Sequence, residues 1–339
     1  GAIIISLLDY GELANFWYLL AGFSVFLMIY TAIFGEAVQG SGGVNARAWI
    51  NIAGRTVQSS ELVKIFFCLT FGKHLDTLRK KGLIDNPLHV VLLGCHALVP
   101  MLLCELQGDT GAAVVFFAMF VVMSLAARVK LRYFAVLGGL VLIAIPILWQ
   151  FVMDEYQKAR IVALFNLDNV EVQANEGYQQ YQGMISIGSG KFSGQGLFQG
   201  SRVASNSVPF QQSDYIFSVA GEELGFVGCS LILLLLFLLL VKILHVAHSS
   251  RDDLGKYICF GYFGIIALQS ISNIGMCLAL LPVMGGTLPF FSAGGSSAAC
   301  MYFGIGLVQS VYMRRKESDG LRLKRKTPLR FTYSRVKNN

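Results

Sequence analysis

The sequence predicts an all-α, polytopic integral membrane protein, a helical bundle carrying one large extracytoplasmic loop, on three observations. Of its 339 residues 55% are hydrophobic and only 14% charged, against roughly 45–50% and about 25% in soluble domains. The apolar residues fall into runs that approach the ~20 residues a helix needs to cross a bilayer. The polar segments between the runs alternate between basic and acidic-polar, the pattern that sets membrane topology. Together these exclude a soluble enzyme, and the hydrophobicity excludes a disordered chain. The 36 glycines are scattered among the apolar runs with no three-residue period, as in membrane helices rather than collagen.

Eight spans are expected, at 13–36, 59–73, 88–106, 112–127, 134–153, 226–247, 258–281 and 298–313. Before them lies the stub Ala2–Leu8, too short to cross. The first residue is Gly rather than Met, so the stub reads as the end of a further helix preceding this sequence. The basic loops are 73–81, 128–132 and 245–256, together with everything after Met313, and short loops rich in Lys and Arg stay in the cytoplasm. The other loops, 36–58, 107–111, 154–225 and 281–297, then face outward. A loop as long as 154–225 is too long to be a mere connector, so chemistry is sought there. The expected organisation is one membrane-embedded catalytic domain, 1–313, and a basic cytoplasmic tail, 314–339. That tail holds ten Lys/Arg against Glu317 and Asp319, so the basic balance of the chain is local to it. It follows an apolar span directly, which fits anionic lipid headgroups and not nucleic acid.

Seven cysteines sit within or beside apolar stretches without a C-x-x-C pair, and the five histidines show no H-E-x-x-H spacing. They read as core residues, and no motif-based metal site is visible.

The motifs gather on the outward side. Residues 154–169 (DEYQKARIVALFNLDN) have the make-up of an amphipathic interfacial helix, whose ordinary role is packing on the membrane surface. Gly188-Ser189-Gly190-Lys191 and Gly194-Gln195-Gly196 match neither a Walker A nor a G-x-G-x-x-G pattern. The stretch is either a bent loop between re-entrant pieces or a loop whose amides approach a pyrophosphate. Gln58 to Lys64 opens a span with a capping serine and sets Glu61 and Lys64 three apart, on one helix face. An ionisable residue at that depth, Lys64, marks a functional site or a structural ion pair. In the turn Gln107–Gly111, Asp109 either caps the next helix or takes part in the site. Val208–Phe217 leads through Asp214 into Gly221-Glu222-Glu223-Leu224-Gly225; a bare N-cap needs one acid, and the two additional carboxylates at this membrane boundary have no propensity reason to be there. Asn273-Ile274-Gly275-Met276 and the Pro/Gly/Ser stretch Leu281–Ser297 predict non-helical backbone, tolerated at this depth only inside protein or along a wet cavity. They read as a cavity floor.

In this order and on one face, these segments resemble the SEDS family, the shape, elongation, division and sporulation proteins of the RodA and FtsW type. The resemblance rests on Asn45-Ala46-Arg47-Ala48-Trp49-Ile50, Gln58 to Lys64, Gln107 to Ala113, Ser213 to Gly225 and Leu281 to Ser297, the last two being the most specific. The departures are Ser59 and Gly108 in place of prolines, Ala112 in place of threonine and Phe210 where an acid often stands. The resemblance implies ten spans, eight of them complete here. It also implies a peptidoglycan glycosyltransferase that polymerises lipid II at the outer face of the bacterial cytoplasmic membrane, alongside a class B penicillin-binding protein. Asp214 matches the family's essential acid. Arg47, Trp49, Glu61 and Lys64 match cavity positions, and Asp109, Lys191, Arg202, Glu222, Ser292 and Ser296 are the further substrate-binding candidates.

The chemistry expected is a single inversion at an anomeric carbon, which needs one base and a stabilised leaving group. Asp214 would take the proton of the acceptor 4-hydroxyl, with Lys64 keeping it ionised. Arg47, Lys64, Arg202 or a divalent cation such as Mg or Mn, with no residues assignable to it, would meet the pyrophosphate. A flippase for lipid II and a non-catalytic scaffold are the competing classes. The polar clusters lie at one face rather than at the midplane, and there is no internal repeat, which disfavours a transporter.

Overall fold

The computed structural model describes residues 1–39, 45–52, 54–151, 153 and 155–315. Most of the expected basic tail, 316–339, and Asp154 at the start of the long loop lie outside the described residues.

The chain runs α1 (Ala2–Leu7), α2 (Tyr10–Asn15), α3 (Trp17–Phe34), β1 (Glu36–Gln39), β2 (Asn45–Ile52), β3 (Arg55–Gln58), α4 (Ser59–Lys80), α5 (Pro87–Leu106), α6 (Thr110–Ala126) and α7 (Leu131–Phe151). The long loop contributes α8 (Glu155–Phe165), α9 (Val170–Ala174), α10 (Tyr178–Ser189) and α11 (Ser201–Ala204). The bundle closes with α12 (Ile216–His248), α13 (Asp253–Cys277) and α14 (Gly295–Met313). Each of the eight expected spans contains a helix, the first of them divided at Phe16 between α2 and α3. Among the described residues α3, α5, α7, α12 and α13 are long and apolar enough to cross a membrane, and α6 is shorter, at 17 residues. Helix α4 carries Glu61, Lys64, Lys73 and Asp76, and is tolerated because most of its surface is buried in protein.

Helix α13 is the centre of the bundle, packed on α4, α6, α12 and α14. Its Gly261 and Gly264 face Met123, Cys68 and the Met119 backbone, small residues that let helices approach where lipid gives no hydrophobic drive to pair. Phe67 stacks on Phe71 at 4.9 Å and meets Phe116 edge-on at 5.5 Å, filling the α4–α6 seam. By contrast α7 has no buried residue, and its Leu, Ile and Val side chains are left outside the bundle, as in a helix long and apolar enough to cross a membrane.

Two features differ from the sequence expectation. In the expected outward loop, β1, β2 and β3 pair as an antiparallel sheet in the order β1-β2-β3, with Trp49 opposite both Glu36 and Gln58. Two of its strands are only four residues long, too short for an alternating pattern to stand out. The helix expected from 226 does begin after Gly225, whose φ of 65° and ψ of −163° are non-helical, but a further helical stretch from Ile216 leads into that break. A side chain at Gly225 would overlap the Gly194 amide, so a glycine is required on both counts.

Charge separates to the two ends. At one, Arg251 and Arg314 pair with Asp9 at 3.2 and 3.1 Å, and Tyr10 donates to Asp252 Oδ1 at 2.9 Å. These contacts join the α1–α2 link, the α12–α13 loop and the end of α14. Burial pushes the Asp9 carboxyl up, but the Gly11 amide and the two guanidiniums outweigh it and hold it below its ordinary value. The other end carries the sheet and the segments that follow.

Candidate active site

Asp214 ends a tight turn just before α12. Its carbonyl lies outside the helical ladder, because Ser218 and Val219 both donate to Tyr215 O. Three successive carbonyls of this turn are instead met by donors from elsewhere. Ala293 N donates to Gln212 O at 2.8 Å, Ser292 Oγ to Ser213 O at 2.6 Å, and Asn273 Nδ2 to Asp214 O at 2.7 Å. The Ser292 hydroxyl also accepts from Leu288 N at 2.7 Å, and Asn273 Nδ2 donates its second hydrogen to Gly286 O at 2.6 Å. The turn and the 281–294 segment are thereby one unit, with the half-buried Asp214 side chain at its edge. Ser292, expected among the substrate contacts, is occupied on both sides in holding the Asp214 backbone.

A second group surrounds the start of α4. Lys64 Nζ lies 2.6 Å from Glu61 Oε1, and the two residues are 1% and 5% exposed. Gln269 Nε2 also donates to Glu61 Oε1, at 3.2 Å. The pair is closed within protein, so the Lys64 charge is matched by Glu61 rather than turned toward Asp214. Next to it, Asp109 caps α6 by accepting from Ala112 N at 3.0 Å, and accepts from Gln58 Nε2 and Ser60 Oγ at 2.7 and 3.0 Å. Capping and tying α4 to α6 account for both of its oxygens. Ser296 Oγ faces Gln58 N at 3.5 Å, and Thr287 and Ser297 exchange a hydrogen bond at 2.9 Å, which brings the 287–297 segment against this group.

The two groups meet on α13. Gln269 reaches Glu61 and Asn273 reaches the Asp214 turn, and residues four apart lie on one helix face about 6 Å along the axis. Asn273 belongs to a motif visible in the sequence, but as the start of an outward segment. Gln269 was not foreseen; the available signal was a buried carboxamide in a membrane helix, which needs a partner.

A third group carries Arg202. Glu222, 0% exposed, accepts from Arg202 N at 2.7 Å and so anchors α11. The Arg202 guanidinium is held by neutral oxygens, Ser186 Oγ at 3.0 Å and Gln182 Oε1. Gln211, three residues before Asp214, donates to Val203 O and Asn206 Oδ1 at 3.2 and 2.8 Å, tying α11 to the Asp214 turn. The glycine-rich loop follows the plainer of its two readings. Gln195 N and Gly196 N donate to Glu222 O and Glu223 O at 2.9 and 3.0 Å, and Lys191 O accepts from Phe226 N at 3.0 Å. Those amides support the break at Gly225 and are not presented to a pyrophosphate.

The remaining candidates lie apart from these contacts. Arg47 is exposed on β2, Trp49 is half-buried on the same strand, and Lys191 is exposed with a left-handed φ of 49°. The amphipathic helix expected at 154–169 is α8, whose Arg160 Nη1 donates to Val283 O at 3.0 Å. Among the described residues no cluster of three or more His, Cys, Asp or Glu could hold a metal ion.

This arrangement has counterparts. A family model described as cell cycle protein, for FtsW, RodA and SpoVE, matches residues 1–317. The chain is 31% identical over 291 residues to a probable peptidoglycan glycosyltransferase FtsW of Geobacter metallireducens, covering 86% of this chain and 74% of that one. It is 30% identical over 298 residues to the peptidoglycan glycosyltransferase MrdB of Escherichia coli, covering 87% and 79%. Its fold matches, with a TM-score of 0.75 and 26% identity, a chain from a solved peptidoglycan synthase complex concerned with coordinating polymerization and crosslinking. That match covers 94% of this chain and 86% of the other.

Proposed function

The chain belongs to the family of FtsW, RodA and SpoVE cell cycle proteins, the SEDS family, and from that premise we propose how its residues work as a peptidoglycan glycosyltransferase. It is a multi-pass membrane enzyme of cell wall synthesis. Its substrate is lipid II, a disaccharide-pentapeptide on a polyprenyl pyrophosphate, which it joins into glycan strands. Asp214 is the general base. The acceptor 4-hydroxyl gives its proton to the Asp214 carboxylate as O4 forms a bond to the donor anomeric carbon, and the bond from that carbon to pyrophosphate breaks with inversion. Pyrophosphate is a stable anion and leaves without a general acid, so the second carboxylate of glycosidases is not needed. Arg202, whose guanidinium donates to the neutral oxygens of Ser186 and Gln182, is the cation that meets it. The buried Glu61–Lys64 pair sets the wall of the site.

The observation that carries this reading is the hold on the Asp214 turn, in which three consecutive carbonyls are met by Ala293, Ser292 and Asn273. A base acts efficiently when its geometry is fixed before the substrate arrives. The Asp214 end faces outward and the basic loops face the cytoplasm, as the distribution of Lys and Arg favours. The partner is a class B penicillin-binding protein that cross-links the strands. Its support is the likeness to a chain of a synthase complex that couples polymerization with crosslinking.

The test is reconstitution of the purified chain in liposomes with labelled lipid II, with and without a class B penicillin-binding protein. Glycan strands whose formation requires this chain are expected. Lipid II moving across the bilayer without strands would make it a flippase, and strands formed equally without it would make it a scaffold.

A further inference from the structure

Asn273 is 0% exposed and lies on α13, so it does not meet solvent or a substrate in the site. Both hydrogens of its amide are used, at 2.7 and 2.6 Å, on the carbonyls of Asp214 and Gly286. Gly286 lies in the non-helical 281–294 segment, and the Asp214 carbonyl lies outside the α12 ladder. Its own Oδ1 is buried without a hydrogen-bond partner among the described residues. Without its two donors both carbonyls would lose a partner inside protein. What the site gains is its pair of donors. They fix the plane of the peptide that follows the Asp214 Cα, and with it the direction in which the carboxylate is aimed.

We infer that Asn273 is a positioning residue for the transfer reaction, acting on the rate of the chemical step through the Asp214 backbone and not on substrate binding. The inference rests on Asp214 being the base. Gln269, one turn earlier on the same face, holds Glu61, so α13 sets the spacing between the base and the buried ion pair.

The experiment measures kcat and KM for lipid II polymerisation, and the thermal unfolding midpoint, for Asn273→Ala, Asn273→Ser and Asp214→Asn. Loss of aim by about 1 Å is worth up to about 100-fold in rate. Asn273→Ala is therefore expected to lower kcat about 10- to 100-fold with KM within about twofold. Asn273→Ser keeps one donor and is expected to lose less. Wild-type kcat in Asn273→Ala beside an inactive Asp214→Asn overturns this inference alone. A loss of kcat that only follows a loss of folded protein also overturns it. If Asn273→Ala does not fold, the serine variant decides by the same split, an unchanged kcat standing against the inference. Full polymerisation by Asp214→Asn overturns the base assignment and this inference with it.

Discussion

Two sets of charges, one around Asp214 and one around Asp9, are handled in different ways. At the Asp214 end, Glu61, Lys64 and Glu222 are 5%, 1% and 0% exposed and are met by one another, by a carboxamide and by a backbone amide, each carboxylate through its Oε1 alone. At the Asp9 end, the Arg251, Arg314 and Asp9 side chains keep 39%, 22% and 26% of their surface and pair beside water. Exposed pairs contribute about 0–1 kcal/mol. A buried pair is no stronger as a source of stability, because desolvation offsets its attraction, but breaking it strands a charge. The difference teaches that the Asp9 pairs fasten chain segments beside water, whereas Glu61, Lys64 and Glu222 hold charge inside protein, as Asp76, 2% exposed and 2.7 Å from Lys80, does on the same helix as Glu61.

That contrast can be broken first at Lys64. Replacing it by Met leaves Glu61 buried without its cation, and a loss of about 3–5 kcal/mol is expected in thermal or denaturant unfolding. The double replacement Glu61→Gln with Lys64→Met should recover most of that stability without recovering polymerisation. A single Lys64→Met as stable as wild type would remove the contrast.

Gly225→Ala tests the broken helix on which the Asp214 end is built. The left-handed φ and the overlap with the Gly194 amide predict a loss of about 1–3 kcal/mol. The same change at Gly138 in α7, where nothing lies within 4 Å of the added carbon, should be neutral or slightly stabilising.

Asp109→Ala removes an N-cap and the acceptor of Gln58 and Ser60. It should cost about 1–2 kcal/mol, read as a lower unfolding midpoint. The smallest effect belongs to Asp9→Asn, within about 1 kcal/mol. Its sign with pH is definite. The folded carboxyl sits below its ordinary value of 3.8, so its contribution is present above that pH and is lost as pH falls through the folded value. The wild type should lose its advantage over Asp9→Asn only on acidification below about pH 4, and a difference that grew in acid would contradict the pairing.

The spans were legible because their apolar runs approach the length of a bilayer, and Asp214 stood out through its motif, the two acids that follow it being more than an N-cap needs. Ser292 was found through its motif, yet its hold on the Ser213 carbonyl was not, because a hydroxyl that holds a backbone and one that binds a sugar look alike in sequence. The partners Gln269 and Asn273 lie 208 and 59 residues from the groups they touch, so only the packed bundle assigns them. The glycine-rich loop shows the opposite case. Its composition suggested anion binding, whereas a break at Gly225, 31 residues from Gly194 in sequence, is what occupies its amides. The short strands of 36–58 were lost for want of length.

The most direct measurement is single-turnover glycan transfer by Asp214→Asn with its partner and labelled lipid II, beside a binding measurement on the same preparation. An amide of the same shape cannot accept the acceptor proton, so bound lipid II with no detectable strand is expected. Strands formed at the wild-type rate would contradict Asp214 as the base.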